Sequence, residues 1–134
     1  MGRIRVFLAD DHKAMRERIV ELLGTEFDIV GTATDGRETI ESVMKLKPDV
    51  LVLDITMHDI SGIEVARRLK KYGVGSPIVF LTVHEDPEFA EEALEIGSLG
   101  YVIKPRMASD LMVAVKEAHA GRSFVSTSVL SAMD

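Results

Sequence analysis

The stretch Asp49-Val50-Leu51-Val52-Leu53-Asp54-Ile55-Thr56-Met57 decides the fold. Val50 to Leu53 form an unbroken apolar run of strand length, bounded by a carboxylate at each end. A strand with one wet face alternates apolar and polar residues, whereas a strand covered on both faces reads as a continuous run. A second layer of structure is therefore needed on each side of this strand. Asp54 stands at its carboxyl end.

Working outward, similar runs occupy 4–9, 29–33, 78–83 and 100–103. Between them the apolar residues take helical spacing. Met15, Ile19, Leu22 and Leu23 fall at i, i+4, i+7 and i+8, and Ile40, Val43 and Met44 repeat the rule. Val65, Ala66 and Leu69 give a third face, Phe89, Ala93, Leu94 and Ile96 a fourth, and Leu111, Met112, Val115 and Ala118 a fifth. Gly24, Gly36, Gly73, Gly75 and Gly97 punctuate these segments, and Asp86-Pro87 reads as an N-cap followed by proline at the first helical position. Five strands alternating with five helices predict right-handed crossovers and a doubly wound, five-stranded parallel α/β sheet.

The chain has 134 residues, which suits one domain. Sixteen basic against 22 acidic residues leave a formal charge of −6, which argues against bulk-charge attraction to nucleic acid or anionic lipid. Cysteine is absent, which excludes a disulfide framework, a cysteine-ligated metal and a thiol nucleophile, and suits a cytoplasmic protein. The first residues, Met1-Gly2-Arg3-Ile4-Arg5, do not have the form of a signal peptide, and no apolar run is long enough to span a bilayer.

In an open parallel sheet, ligands bind beyond the carboxyl ends of the strands. Asp10 and Asp11 follow the first strand, Asp54 ends the third, Thr82 ends the fourth and Lys104 follows the fifth. Any one of these alone reads as a cap, a turn residue or a surface charge. Their joint occurrence, each at its own strand end, points to one site. Clustered carboxylates stay ionised only with a compensating cation, and an all-oxygen donor set with room for water suits Mg²⁺ better than a Ca²⁺ cage. An aspartate so neutralised can attack phosphorus, with Mg²⁺ and Lys104 stabilising the charge.

Leu8-Ala9-Asp10-Asp11-His12, the stretch 49–57, Ser61-Gly62, Leu81-Thr82 and Gly100-Tyr101-Val102-Ile103-Lys104-Pro105 together resemble the receiver domain of bacterial two-component response regulators. Thr34-Asp35-Gly36-Arg37-Glu38 and Ala120-Gly121-Arg122-Ser123-Phe124-Val125-Ser126 look most like the NarL/FixJ (LuxR-type) subgroup. The resemblance implies a flavodoxin-like (βα)5 receiver and a switch rather than an enzyme. Asp54 would accept a phosphoryl group from a histidine kinase. Asp11, Asp54 and the backbone carbonyl of Thr56 would hold Mg²⁺, with Asp10 acting largely through a metal-bound water. Thr82 and Lys104 would bind the phosphoryl oxygens, Tyr101 would turn inward when the switch is on, and the Lys104–Pro105 bond would be cis.

Two departures are visible. His58 stands where the family usually has proline, and Lys104-Pro105 is less usual in this subgroup. Residues 1–121 are expected to form the receiver and 122–134 a tail or the start of a linker to a DNA-binding output domain outside the chain. On phosphorylation the face formed by the fourth helix, fifth strand and fifth helix is expected to change shape and meet a partner or a second copy of the chain, a homodimer being one outcome, and DNA binding is expected only through that output domain. Other classes fit less well. A dehalogenase-type phosphatase wants a second carboxylate where Thr56 stands, a phosphate-independent receiver shape usually loses an acid or the lysine, and a flavin carrier wants a phosphate loop where Asp10 and Asp11 stand.

Overall fold

The computed structural model describes residues 2–132. The strands are β1 (Arg5–Ala9), β2 (Asp28–Ala33), β3 (Val50–Leu53), β4 (Ile78–Thr82), β5 (Gly100–Ile103) and β6 (Phe124–Val125). The helices are α1 (Lys13–Gly24), α2 (Gly36–Leu46), α3 (Gly62–Lys71), α4 (Pro87–Glu95), α5 (Met107–His119) and α6 (Thr127–Ala132). All strand pairings are parallel, in the order β2-β1-β3-β4-β5-β6.

The continuous apolar runs are explained by two cores, one on each face of the sheet. Val6, Leu8, Val50, Val52, Val79, Leu81 and Val102 point to one face, where Ile19 and Leu23 of α1 and Leu111 and Val115 of α5 cover them. Phe7, Ala9, Leu51, Leu53, Phe80, Tyr101 and Ile103 point to the other, under α2, α3 and α4. Successive side chains along a strand serve opposite cores, so a polar residue at either position would be buried without water.

Side chains cap α2 and α3. Asp35 accepts a hydrogen bond from the Glu38 amide at 2.8 Å, and Ser61 accepts from the Glu64 amide at 3.2 Å. Asp86 takes the N-cap position of α4 ahead of Pro87, but its side chain makes no capping hydrogen bond.

The expectation of five strands is corrected to six among the described residues. Gly121, at φ 82°, turns the chain after α5 through the left-handed region that favours glycine, and the chain returns along the free edge of β5. There the Phe124 amide donates to the Leu99 carbonyl at 2.8 Å and the Ser126 amide to the Tyr101 carbonyl at 2.9 Å. Two residues are too few to show a period in sequence, and it is the exposed edge of β5 that recruits them. The expected tail, 122–134, thus contains β6 and α6 as far as residue 132; Met133 and Asp134 lie outside the described residues.

Candidate functional site

The strand order reverses direction at β1, which lies between β2 and β3. The crevice beyond the carboxyl ends of β1 and β3 is therefore the topological switch point, where open parallel sheets bind ligands. Asp10 and Asp54 each follow directly after one of these strands. Their backbones are pinned, the Asp10 amide to the Ala33 carbonyl at 3.1 Å and the Asp54 amide to the Ala9 carbonyl at 3.0 Å.

Lys104, directly after β5, reaches back across the sheet. Its Nζ lies 2.9 Å from Asp10 Oδ2 and 3.0 Å from Asp54 Oδ2. The three side chains are only 9%, 1% and 6% exposed, so this is a buried triad of two carboxylates and one ammonium. Asp54 Oδ1 accepts from the Thr56 amide at 3.3 Å, and Asp10 Oδ1 accepts from the His12 amide at 2.8 Å. The Lys104 contact to Asp54 is a hydrogen bond. Asp10 Oδ2 has the ammonium as a charge neighbour but receives no well-aligned hydrogen bond.

Burial raises the Asp54 pKa above the usual carboxylate value, opposed by the charge and hydrogen bond of Lys104 and reinforced by the nearby Asp10. Burial works against the Lys104 ammonium, but its contacts with Asp10 and Asp54 outweigh it and its pKa is raised. One ammonium thus holds two carboxylates that would otherwise repel.

Ligand atoms of Asp10, Asp11 and His12 lie within 4.8 Å of one another. The sequence reading grouped Asp10 and Asp11 with Asp54 and the Thr56 carbonyl; in this structure Asp54 Oδ2 is taken by Lys104, and His12, on the exposed side of Asp11, joins the pair. An oxygen-rich set with an underserved buried carboxylate oxygen on Asp10 fits a hard divalent cation.

Thr82 is fully buried, and its Oγ1 accepts from the His84 amide at 3.3 Å. Tyr101 is also fully buried and already turned inward, its hydroxyl donating to the His84 carbonyl at 2.7 Å. His84 bridges the mouth of the site, with Nε2 2.8 Å from Thr56 Oγ1 and its ring stacked on Phe89 at 4.5 Å. His58 is exposed.

One expectation is corrected. There is no cis peptide bond among the described residues, so Lys104–Pro105 is trans. Pro105 lies inside a short 3-10 turn, Lys104–Arg106, where its fixed φ fits a trans chain and its missing N–H costs nothing.

The sequence reading missed three supporting contacts. The Arg16 guanidinium donates to the Asp10 carbonyl at 2.9 Å. Asp59, in the loop after β3, accepts from the amides of Gly36 and Arg37 at 2.8 and 3.0 Å and so caps α2 from another segment. Gly62 packs so closely on Asp54 that a Cβ there would collide with the Asp54 carbonyl oxygen. Only Gly62 lay in a motif; contacts of the other two depend on chain crossings that no local pattern encodes.

The description of the "Response regulator receiver domain" family matches residues 6–116. The chain is 36% identical over 132 residues to the "DNA-binding transcriptional activator DevR/DosR" of Mycobacterium tuberculosis, covering 97% of this chain and 61% of that one. The crystal structure of a two-component response regulator of the LuxR family from Aurantimonas superposes with TM-score 0.94 at 29% identity, covering 98% and 96% of the two chains. The isolated receiver of RcsB from Salmonella enterica serovar Typhimurium, solved with the phosphomimetic BeF3⁻, superposes with TM-score 0.90 at 26% identity, covering 99% and 100%. The chain spans about half to three-fifths of the length of the curated regulators it matches.

Proposed function

The chain belongs to the response regulator receiver domain family, with LuxR-type relatives in two-component systems, and from that premise we propose that Asp54 is its phosphoacceptor. The observation that carries the reading is the buried triad of Asp10, Asp54 and Lys104 at the switch point of the sheet. The phosphoryl donor is a phosphohistidine on a sensor kinase. A carboxylate oxygen of Asp54 attacks phosphorus, the P–N bond breaks, and its electron pair returns to the imidazole. Loss reverses the gain in charge: water attacks phosphorus, the P–O bond to Asp54 breaks, and inorganic phosphate leaves the free carboxylate.

Mg²⁺ held by Asp10 and Asp11, with Asp54 and the Thr56 carbonyl, would supply charge neutralisation for the phosphoryl oxygens. The Lys104 ammonium exchanges its Asp54 partner for a phosphoryl oxygen, and the Thr82 hydroxyl donates to another. Thr56 and His84 flank the path of the attacking water and help set how long the phosphoryl group persists. Thr82 leaving its turn then frees space near Tyr101, and the face made by α4, β5 and α5 changes shape to meet a second copy. Residues 1–121 carry this switch, and the segment from 122 leads to a DNA-binding output domain in a cytoplasmic regulator. Among the described residues no helix is long and apolar enough to cross a membrane.

The test is intact mass after incubation with a small acyl phosphate and Mg²⁺. One acid-labile phosphoryl group is expected on the parent and none on Asp54→Asn, whose amide is nearly isosteric but not nucleophilic. Equal labelling of the two proteins would remove Asp54 from the role.

A further inference from the structure

Ser126 is fully buried; two of its hydrogen bonds reach the end of β5 and a third reaches Asp110 of α5. Its amide donates to the Tyr101 carbonyl at 2.9 Å. Its Oγ accepts from the Ile103 amide at 3.2 Å and donates to Asp110 Oδ2 at 2.9 Å. β6 ends at Val125, so beyond that point β5 has no strand partner on its outer edge. The Ser126 hydroxyl takes the place of the missing strand carbonyl for the Ile103 N–H, which is otherwise an orphan in a buried position. Asp110, buried on α5, fixes that hydroxyl, and its other oxygen accepts from Ser109 Oγ at 2.9 Å.

The two residues so held flank the chemistry. Ile103 immediately precedes Lys104, whose ammonium lies between Asp10 and Asp54. Tyr101 is gripped at both ends, its carbonyl by Ser126 and its hydroxyl by the His84 carbonyl two residues after Thr82. On the other side of Ser126 the chain enters α6 at once, and Val129 of α6 is fully buried in the core that contains Tyr101, Ala90 and Ala93. Ser126 thus links the C-terminal segment by hydrogen bonds to both Tyr101 and the strand end that delivers Lys104.

We infer that Ser126 is a positioning residue for the phosphoryl chemistry at Asp54, acting through Ile103 and Lys104, and that it couples the docking of the C-terminal segment to the phosphorylation state. This rests on the receiver reading above. Energetic coupling between two sites is reciprocal for binding and docking equilibria. A rearrangement at Thr82 and Tyr101 therefore loosens or tightens the 122–129 segment, and loosening that segment shifts the position of Lys104 and with it the reaction at Asp54.

The experiment compares the parent chain with Ser126→Ala and the hydroxyl-retaining Ser126→Thr, and uses Asp110→Asn as a second variant that keeps a side-chain oxygen for Ser126. Amide hydrogen exchange at Ile103 and Lys104 is measured together with the rates of phosphoryl gain from a small acyl phosphate with Mg²⁺ and of its later loss. Ser126→Ala is expected to speed exchange at Ile103 about tenfold and to change the rate of gain or loss at least threefold. Ser126→Thr should recover most of both effects, and Asp110→Asn should move both in the same direction by less. In the parent, phosphorylation should change exchange across 122–129. If Ser126→Ala lowers the melting temperature but leaves both rates at parental values, the residue is merely structural and the inference is overturned. If the parent takes no phosphoryl group at all, the receiver reading falls, and the exchange arm alone decides the positioning: unchanged Ile103 protection in Ser126→Ala overturns it too.

Discussion

Lys104 stands where the physics of this site is most exposed to test. Two buried carboxylates face each other across one ammonium, and no other cation of the described chain lies within salt-bridge distance of them. Replacing Lys104 by Met keeps the aliphatic stem and removes the charge. Breaking a buried charge set in this way costs about 3–5 kcal/mol, because the partners left behind are desolvated and unpaired. Lys104→Met is therefore expected to lose roughly 3 kcal/mol in a chelator, with Mg²⁺ restoring part of it by mass action on the freed carboxylates. Urea denaturation with and without Mg²⁺ reads both numbers; a variant as stable as the parent in chelator would show that Lys104 is not what holds Asp10 and Asp54 together. The residues of this triad were legible in sequence because each sits directly after a strand whose apolar run announces its own end. That one ammonium serves both acids was not legible, since it depends on β3 and β4 separating β1 from β5 by a distance a lysine can span.

At the scale of elements, the loop after β3 is held by what it does for its neighbours. Asp59 caps α2 from outside that helix, and Gly62 lets α3 start against the backbone of Asp54. Burial is the largest single influence and works against ionised Asp59, but hydrogen bonds from the amides of Gly36, Arg37, Ile60 and Asp59 itself together outweigh it and hold the pKa down to about 2. A carboxylate whose folded pKa lies below its unfolded one contributes stability above the unfolded value, and loses it as pH falls through the folded value. Asp59→Ala is thus expected to cost about 0.5–1 kcal/mol near neutral pH, at the low end for a cap because Asp59 is exposed. Its gap to the parent should close as pH falls from about 4 to about 2, as read by urea unfolding at several pH values. A gap independent of pH would mean that the charge plays no part. Gly62→Ala should cost about 1–3 kcal/mol through overpacking and displace the Asp54 backbone, which differential scanning calorimetry and amide shifts of residues 54–56 would register. Five strands and five helices were readable from their periods. β6 was not, because its two residues owe their strand state to the edge of β5 and to the turn at Gly121, and nothing in their own composition requires it.

For the molecule as a whole, the fold leaves an acidic domain whose chemistry is gathered at one end of the sheet. With a formal charge of −6 and the extra charge of about −1.5 to −2 from one phosphoryl group, electrostatics oppose contact with a nucleic-acid backbone. The chain by itself is expected to show no sequence-specific DNA binding at physiological salt in gel-shift titrations, phosphorylated or not. Tight specific binding would relocate the output function into the receiver.

A group placed on Asp54 is expected to be felt at Tyr101 and along β5 through Thr82. Coupling of this kind is commonly about 1–3 kcal/mol, enough to change an affinity 5- to 150-fold. Its direct measurement is the set of backbone amide shifts over residues 82–121 with and without a small acyl phosphate and Mg²⁺, in the parent and in Thr82→Ala. In the parent the shifts should spread from the site through Tyr101 into α4, β5 and α5. In Thr82→Ala, Asp54 should still gain its phosphoryl group by intact mass, while the changes remain confined to residues next to Asp54. The same phosphorylation-dependent shifts in both proteins would show that Thr82 does not carry the coupling.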